Sequence, residues 1–180
     1  MKIFLNIAAA FSVATLVLSG TANSETTINA THDSTSGTYA DYMKTVYARA
    51  GAPETFSLPL TSFDKEYELH ALAAKSWSQS NDGLTWTFKL RDNLKWSDGE
   101  PLKASDYIFA LKRAATTGYD FGWYWDFAGG LKNWKEVTSG SMDISELGIR
   151  ATDATTIEVD TKSVKPYLPS VVSLLSLIHI

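Results

Sequence analysis

The chain of 180 residues contains no cysteine. That absence removes disulfides, thiolate metal centres and cysteine nucleophiles together. It also removes lipid attachment through the cysteine that closes a lipoprotein leader. Histidine is scarce: His32, His70 and His179 are scattered, with no partner at ligand spacing. There is no H-E-x-x-H, no G-x-S-x-G and no P-loop, so the metalloprotease, serine-hydrolase and nucleotide-hydrolase templates find no footing. Lys and Arg number 16 against 20 Asp and Glu, for a net charge of −4 and without a basic run. This argues against nucleic acid as a partner. Internal repeats and low-complexity linkers are missing too. His32 beside Asp33 reads as a solvated loop pair, and carboxylate pairs such as Asp41 with Glu54, or Glu158 with Asp160, suggest no acid–base geometry. The residues therefore predict no enzyme, no cofactor and no metal site.

Long apolar runs are also rare. Lys2 supplies a positive start, Ile3 to Leu18 is uncharged and apolar, and Ala22-Asn23-Ser24 fits a small-x-small cleavage pattern before Glu25. About sixteen apolar residues are short for a bilayer span, so residues 1–24 read as a cleaved secretory signal peptide. With no cysteine to carry a lipid, the product is expected free in the periplasm. The remaining residues, from Glu25 on, are numerous enough for one domain with a real core.

Leu72 to Ala114 is the most legible stretch. Ala73 to Ser80 and the run from Leu84 flank Asn81-Asp82-Gly83, a turn cluster whose glycine tolerates positive φ, so a hairpin is predicted. Leu84, Trp86, Phe88 and Leu90 alternate with Thr85, Thr87, Lys89 and Arg91, which puts four large apolar groups on one face of a strand. Leu94 and Trp96 continue the spacing, Ser97-Asp98-Gly99 turns the chain again, and Pro101 keeps it out of a regular ladder. From about Ala104 the period becomes helical. Tyr107, Ile108, Leu111 and Ala115 share a stripe, with Lys112 and Arg113 near the C-terminal end of the dipole.

Elsewhere the signals are shorter. Thr26 to Thr31 alternates weakly and predicts a first strand, followed by the polar loop His32 to Gly37. Thr38-x-x-Asp41 resembles a capping box, and Tyr39, Tyr42, Met43, Val46, Tyr47 and Ala50 recur at helical spacing until Gly51 and Pro53. Tyr119 to Phe127 is the most aromatic stretch. Packing is the expected use of its rings. A secreted carbohydrate-binding module built on Trp123, Tyr124 and Trp125 is the alternative, and it needs those rings exposed and coplanar. Lys135 to Asp143 reads as a polar surface loop. Ile149 and Ala151 are expected to pair with Ile157 and Val159 across Thr152-Asp153-Ala154-Thr155, and Pro166 to fit the first turn of a final helix.

Two blocks resemble a known family. One comprises Leu72-Ala73-Ala74-Lys75-Ser76-Trp77, Asp82 to Arg91, Lys95 to Leu102 and Asp106 to Ala114. The other comprises Glu146 to Asp153, Thr156-Ile157-Glu158-Val159 and Pro166-Tyr167-Leu168. In this order they resemble extracellular solute-binding protein family 5, the peptide and nickel receptors of ABC importers, from roughly Leu58 to Val172. The resemblance implies an α/β fold of the periplasmic binding protein-like class II type, of which only the first part of lobe I is present. Residues 25–66 would begin lobe I, and residues 67–172 would form its N-terminal subdomain. The tail 173–180 reads as truncated or foreign, and lobe II is absent. It further implies a monomer that captures peptide or another small solute and docks on an inner-membrane permease with its ATPases. The loop after the first strand, His32, Asp33, Ser34 and Thr35, is expected to face the ligand cleft, although the Asp-Pro pair the family carries there is missing.

Overall fold

The structure is a computed structural model that describes residues 58–117 and 122–174. The expected signal peptide, the strand at 26–31, the loop His32 to Thr35, the helix from Thr38 and the end of the tail lie outside the described residues. The fold is mixed α/β: among the described residues it comprises a four-stranded antiparallel sheet, a two-stranded hairpin and four short or medium helices.

The predicted hairpin forms as β3 (Ala74–Gln79) and β4 (Thr85–Leu90), with Trp77 opposite Phe88 and Gln79 opposite Trp86. Its turn is held by Asp82, whose Oδ1 accepts the Ser80 hydroxyl at 2.6 Å and the Leu84 amide at 3.0 Å. Gly83 takes φ +74°, and an added Cβ would sit 3.1 Å from Val164. Trp86, Phe88 and Leu90 are buried, as their alternation requires. Leu84 departs from that face: it belongs to the turn and is 37% exposed, because the strand begins one residue later, once the Asp82 side chain has released the backbone.

The second predicted hairpin also forms, as β5 (Ile149–Asp153) and β6 (Thr156–Asp160), with Ile149 opposite Val159 and Ala151 opposite Ile157. β6 then pairs with β4 through Trp86–Val159 and Phe88–Ile157. The sheet order is β3-β4-β6-β5. One face is therefore apolar, and helix α1 (Ala104–Thr116) covers it with Tyr107, Leu111, Ala114 and Ala115. Fully burying a side chain such as Phe88 or Ile157 contributes about 1.5–3 kcal/mol.

Helix α1 lacks a Ser or Thr cap. Instead Asp106 turns back to accept the Lys103 amide at 2.9 Å and the Trp96 indole N–H at 3.2 Å, so one carboxylate both starts the helix and pins the preceding turn. Inside, Tyr107 is fully buried and donates its hydroxyl to the Leu58 carbonyl at 2.8 Å. Burial pushes that phenol above its ordinary pKa.

Three elements differ from expectation. The segment before Leu72 folds back as a small hairpin, β1 (Thr61–Phe63) against β2 (Leu69–Ala71); three-residue strands are too short to show a period. The stretch after Asn133 is not all loop: α3 (Trp134–Thr138) forms because Trp134 and Val137 bury on the same side. The final helix, α4 (Leu168–Val171), starts after the expected proline, with Pro169 in its first turn and Pro166 in the turn before. Buried Thr61 donates to the Pro169 carbonyl at 2.6 Å, which brings the two ends of the described chain side by side.

Candidate functional site

Asp64 in the β1–β2 turn is the best-supported polar centre among the described residues. The hairpin register sets Phe63 opposite Leu69 and Ser62 opposite His70, so Ser62, Asp64, Glu68 and His70 share one face at strand spacing. Asp64 Oδ1 accepts the amides of Glu66 and Glu68, both at 2.9 Å, while Oδ2 lies 2.7 Å from His70 Nε2. The Glu68 amide and the imidazole hold the Asp64 carboxyl below its usual range. His70 thus has a partner that its position in the sequence did not disclose; the register of an unpredicted hairpin supplies it. The donor atoms of Asp64, Glu68 and His70 lie within 4.8 Å of one another, so this trio could hold a cation. Asp64 in this trio already pairs with His70 and binds the turn amides. Ser62, the residue placed to complete a Ser-His-Asp arrangement, instead aims its hydroxyl at the Phe63 carbonyl, 3.4 Å away.

A second polar cluster lies on the open face of the sheet. Arg150 on β5 bridges Glu158 and Asp160 on β6, and Thr85 adds a hydrogen bond to Asp160 at 2.9 Å. The carboxylates that looked unremarkable in the sequence are joined through the guanidinium, which is raised above its ordinary pKa by them, Asp160 foremost. This cross-strand ladder fixes register.

The aromatic stretch is divided by α2 (Gly122–Phe127). Trp125 is 5% exposed and packs on Trp134 with ring centroids 6.4 Å apart, whereas Trp123 and Phe127 are open to solvent. Tyr124 meets Trp123 and Trp125 edge-on, at 83° in both cases. A coplanar platform of Trp123, Tyr124 and Trp125 is therefore not what these residues build: consecutive helical positions point about 100° apart, and the middle of the helix is needed for packing. Between the end of α1 at Thr116 and the turn Gly140–Ile144 an open groove of about 430 Å³ is floored by Val137. No helix among the described residues is long and apolar enough to cross a membrane. The cleft-facing loop expected at His32, Asp33, Ser34 and Thr35 lies outside the described residues.

Known proteins share this fold. Residues 68–180 match the family described as bacterial extracellular solute-binding proteins, family 5 Middle. A putative binding protein of Haemophilus influenzae is 34% identical over 119 residues, covering 66% of this chain and 23% of its own length. The periplasmic oligopeptide-binding protein OppA of the same organism is 34% identical over 113 residues, 62% of this chain and 21% of its own. Among solved structures, the substrate-binding domain of an oligopeptide ABC transporter from Bacillus anthracis superposes with a TM-score of 0.64 at 32% identity, over 69% of this chain and 24% of that one. H. influenzae OppA in complex with the peptide RPPGFSPFR superposes with a TM-score of 0.63 at 29% identity, over 71% of this chain and 26% of that one. The chain thus spans about a fifth to a quarter of the length of the relatives it matches.

Proposed function

This chain belongs to the family 5 bacterial extracellular solute-binding proteins, and we propose that it serves as part of a peptide receptor of an ABC importer. The observation that carries the reading is the shared architecture: about 70% of this chain superposes on receptors solved with, or named for, peptide ligands. In this reading the receptor acts as a monomer in the periplasm, reached through the leader 1–24. It binds peptide between two lobes and delivers it to a membrane permease driven by ATPases. Closure is the signal, because a ligand that touches both lobes favours the closed state by its differential contacts. The role is one of binding rather than catalysis and needs no cofactor. Residues 25–66 open lobe I and 67–172 form its N-terminal subdomain. His32, Asp33, Ser34 and Thr35 line the cleft.

The test is the ligand that travels with the protein. Native mass spectrometry on protein purified from the periplasm without refolding is expected to release short peptides. Recovery of a saccharide or a metal ion in their place overturns the peptide assignment. Alanine at all four positions His32 to Thr35 is expected to lower peptide occupancy several-fold; unchanged occupancy removes that loop from the site.

A further inference from the structure

Among the described residues, Asp64, Glu68 and His70 are the only group of three His, Asp and Glu side chains whose donor atoms come together. The β1–β2 turn arranges them. The Asp64 amide donates to the Glu68 carbonyl at 3.0 Å and the Tyr67 amide to the Asp64 carbonyl at 3.1 Å, so Asp64 and Glu68 face each other where the turn closes. His70 follows Glu68 by two residues and returns to the same side. The Asp64 carboxylate is fixed through Oδ1 by the Glu66 and Glu68 amides, which leaves Oδ2 turned to His70 Nε2 at 2.7 Å. The charges are unbalanced. Carboxylates directly opposite each other across two strands repel, and Lys65, the one cation of the turn, pairs with Glu66 at 3.2 Å instead. Among the described residues the Glu68 carboxylate has no ionic or hydrogen-bonding partner.

We propose that this trio is a surface site for one divalent transition-metal ion of the Zn²⁺ class, held by Asp64 Oδ2, a Glu68 carboxylate oxygen and His70 Nε2, with water completing the shell. Two carboxylates balance the charge of a dication. The imidazole favours Zn²⁺ and its transition-metal neighbours over Mg²⁺ and Ca²⁺, which take oxygen ligands. Ligands arranged tetrahedrally at about 2.1 Å from an ion stand about 3.4 Å from one another. The three donor atoms lie within 4.8 Å of each other. Binding therefore parts Asp64 and His70 slightly and sets Glu68 at the same separation, adjustments that exposed side chains make by rotation. The ion takes the place of the hydrogen between His70 Nε2 and Asp64 Oδ2, and the imidazole keeps its proton on Nδ1. The amide bonds to Oδ1 remain, so the hairpin stays as it is. The site adds to the peptide-receptor reading and does not rest on it, because the ion binds with or without peptide.

The test is a calorimetric titration of the full, untagged chain, stripped with chelator, against Zn²⁺ alone. One ion per chain is expected, and Mg²⁺ or Ca²⁺ in large excess should not displace it. Loss of an outer partner of a metal site already costs about 10–100-fold in affinity, so removal of a ligand by Glu68→Gln or His70→Ala is expected to cost at least as much. His179→Ala, which removes a histidine outside the trio, should leave the affinity unchanged. No saturable binding by the parent chain overturns the proposal, and so does binding that survives His70→Ala or Glu68→Gln at full strength. X-ray absorption at the zinc edge of the loaded parent chain provides a readout that no variant can spoil by misfolding. One imidazole nitrogen among oxygen ligands, at about 2.0–2.2 Å, is expected; two or more imidazoles would place the ion elsewhere and overturn the site.

Discussion

The sheet with α1 and the aromatic segment Gly122–Glu146 are neighbours built on opposite principles. In the central strand β4 burial repeats at a fixed interval: Trp86, Phe88 and Leu90 go in, Thr87 and Lys89 are less buried, and β6 answers with Ile157 and Val159. In the aromatic segment burial is decided singly. Trp125 and Trp134 meet across two short helices, while Trp123 and Phe127, on the same helix as Trp125, face outward. The difference teaches that periodic regions obtain stability from many equivalent contacts, whereas the aromatic segment rests on a few irregularly spaced side chains, Trp125, Leu131, Trp134 and Val137. The two join at Gly148. Its amide donates to the Lys132 carbonyl at 2.9 Å and its carbonyl accepts the Asp160 amide at 2.7 Å, stitching the end of the aromatic segment to β6.

The largest effect is expected in the sheet. Phe88→Ala leaves a cavity in the core beside Trp77 and Trp86 and costs about 3–5 kcal/mol; the cooperative thermal transition, monitored by far-UV circular dichroism, should fall by many degrees. Trp125→Ala is expected to cost somewhat less, about 3 kcal/mol, and to act locally. Hydrogen exchange should show lost protection across residues 122–146 with the β4–β6 amides preserved. Equal loss in both regions would erase the distinction between them. Gly148→Ala comes next, at about 2 kcal/mol. An added Cβ would lie 2.8 Å from the Asp160 carbonyl oxygen and 2.7 Å from the Lys132 Cβ, so backbone must move and the junction should loosen while each region keeps its own core. A melt unchanged by this substitution would mean that the regions do not depend on the joint.

The same contrast explains what could be read from the chain. Both long hairpins, the pairing of Ile149 and Ala151 with Val159 and Ile157, and the stripe of α1 were legible, because alternation and helical spacing are written in consecutive residues. The family was legible for the same reason: its signature residues lie in those periodic elements and their turns. The β1–β2 hairpin was not legible, since three-residue strands carry no period and their stability comes from distant partners, such as Thr61 with Pro169. The Asp64–His70 pair was hidden with it. The start of α4 falls later than Pro166 suggests because Pro166 and Pro169 are both compatible with a helix entry, and only the packing of Leu168 and Val171 chooses. The choice of Trp125 over Trp123 for the interior is likewise set by where Trp134 arrives.

The smallest effect is one of acidity, and it separates the regions by their turns. Asp153, the last residue of β5 before the β5–β6 turn, has its pKa lowered from 3.8 to about 2, first by the Thr156 side chain and then by the amide and hydroxyl of Thr155. Asp143, before β5 in the aromatic segment's return, is lowered from 3.8 by the hydroxyl and amide of Ser145. A carboxylate whose folded pKa lies below its unfolded value stabilises the fold above the unfolded pKa, and that contribution is lost as pH falls through the folded one. Stability should therefore decline from about pH 4 towards about pH 2, modestly, because both groups are solvent-exposed and screened. Asp153→Asn removes the titrating group, so it should flatten that decline for amides of β5 and β6, while Asp143→Asn should flatten it for residues 134–146 and leave the sheet as it was. If either variant flattened both regions equally, the acid response would belong to the fold as a whole, and the two parts would have to be regarded as one cooperative unit joined tightly at Gly148.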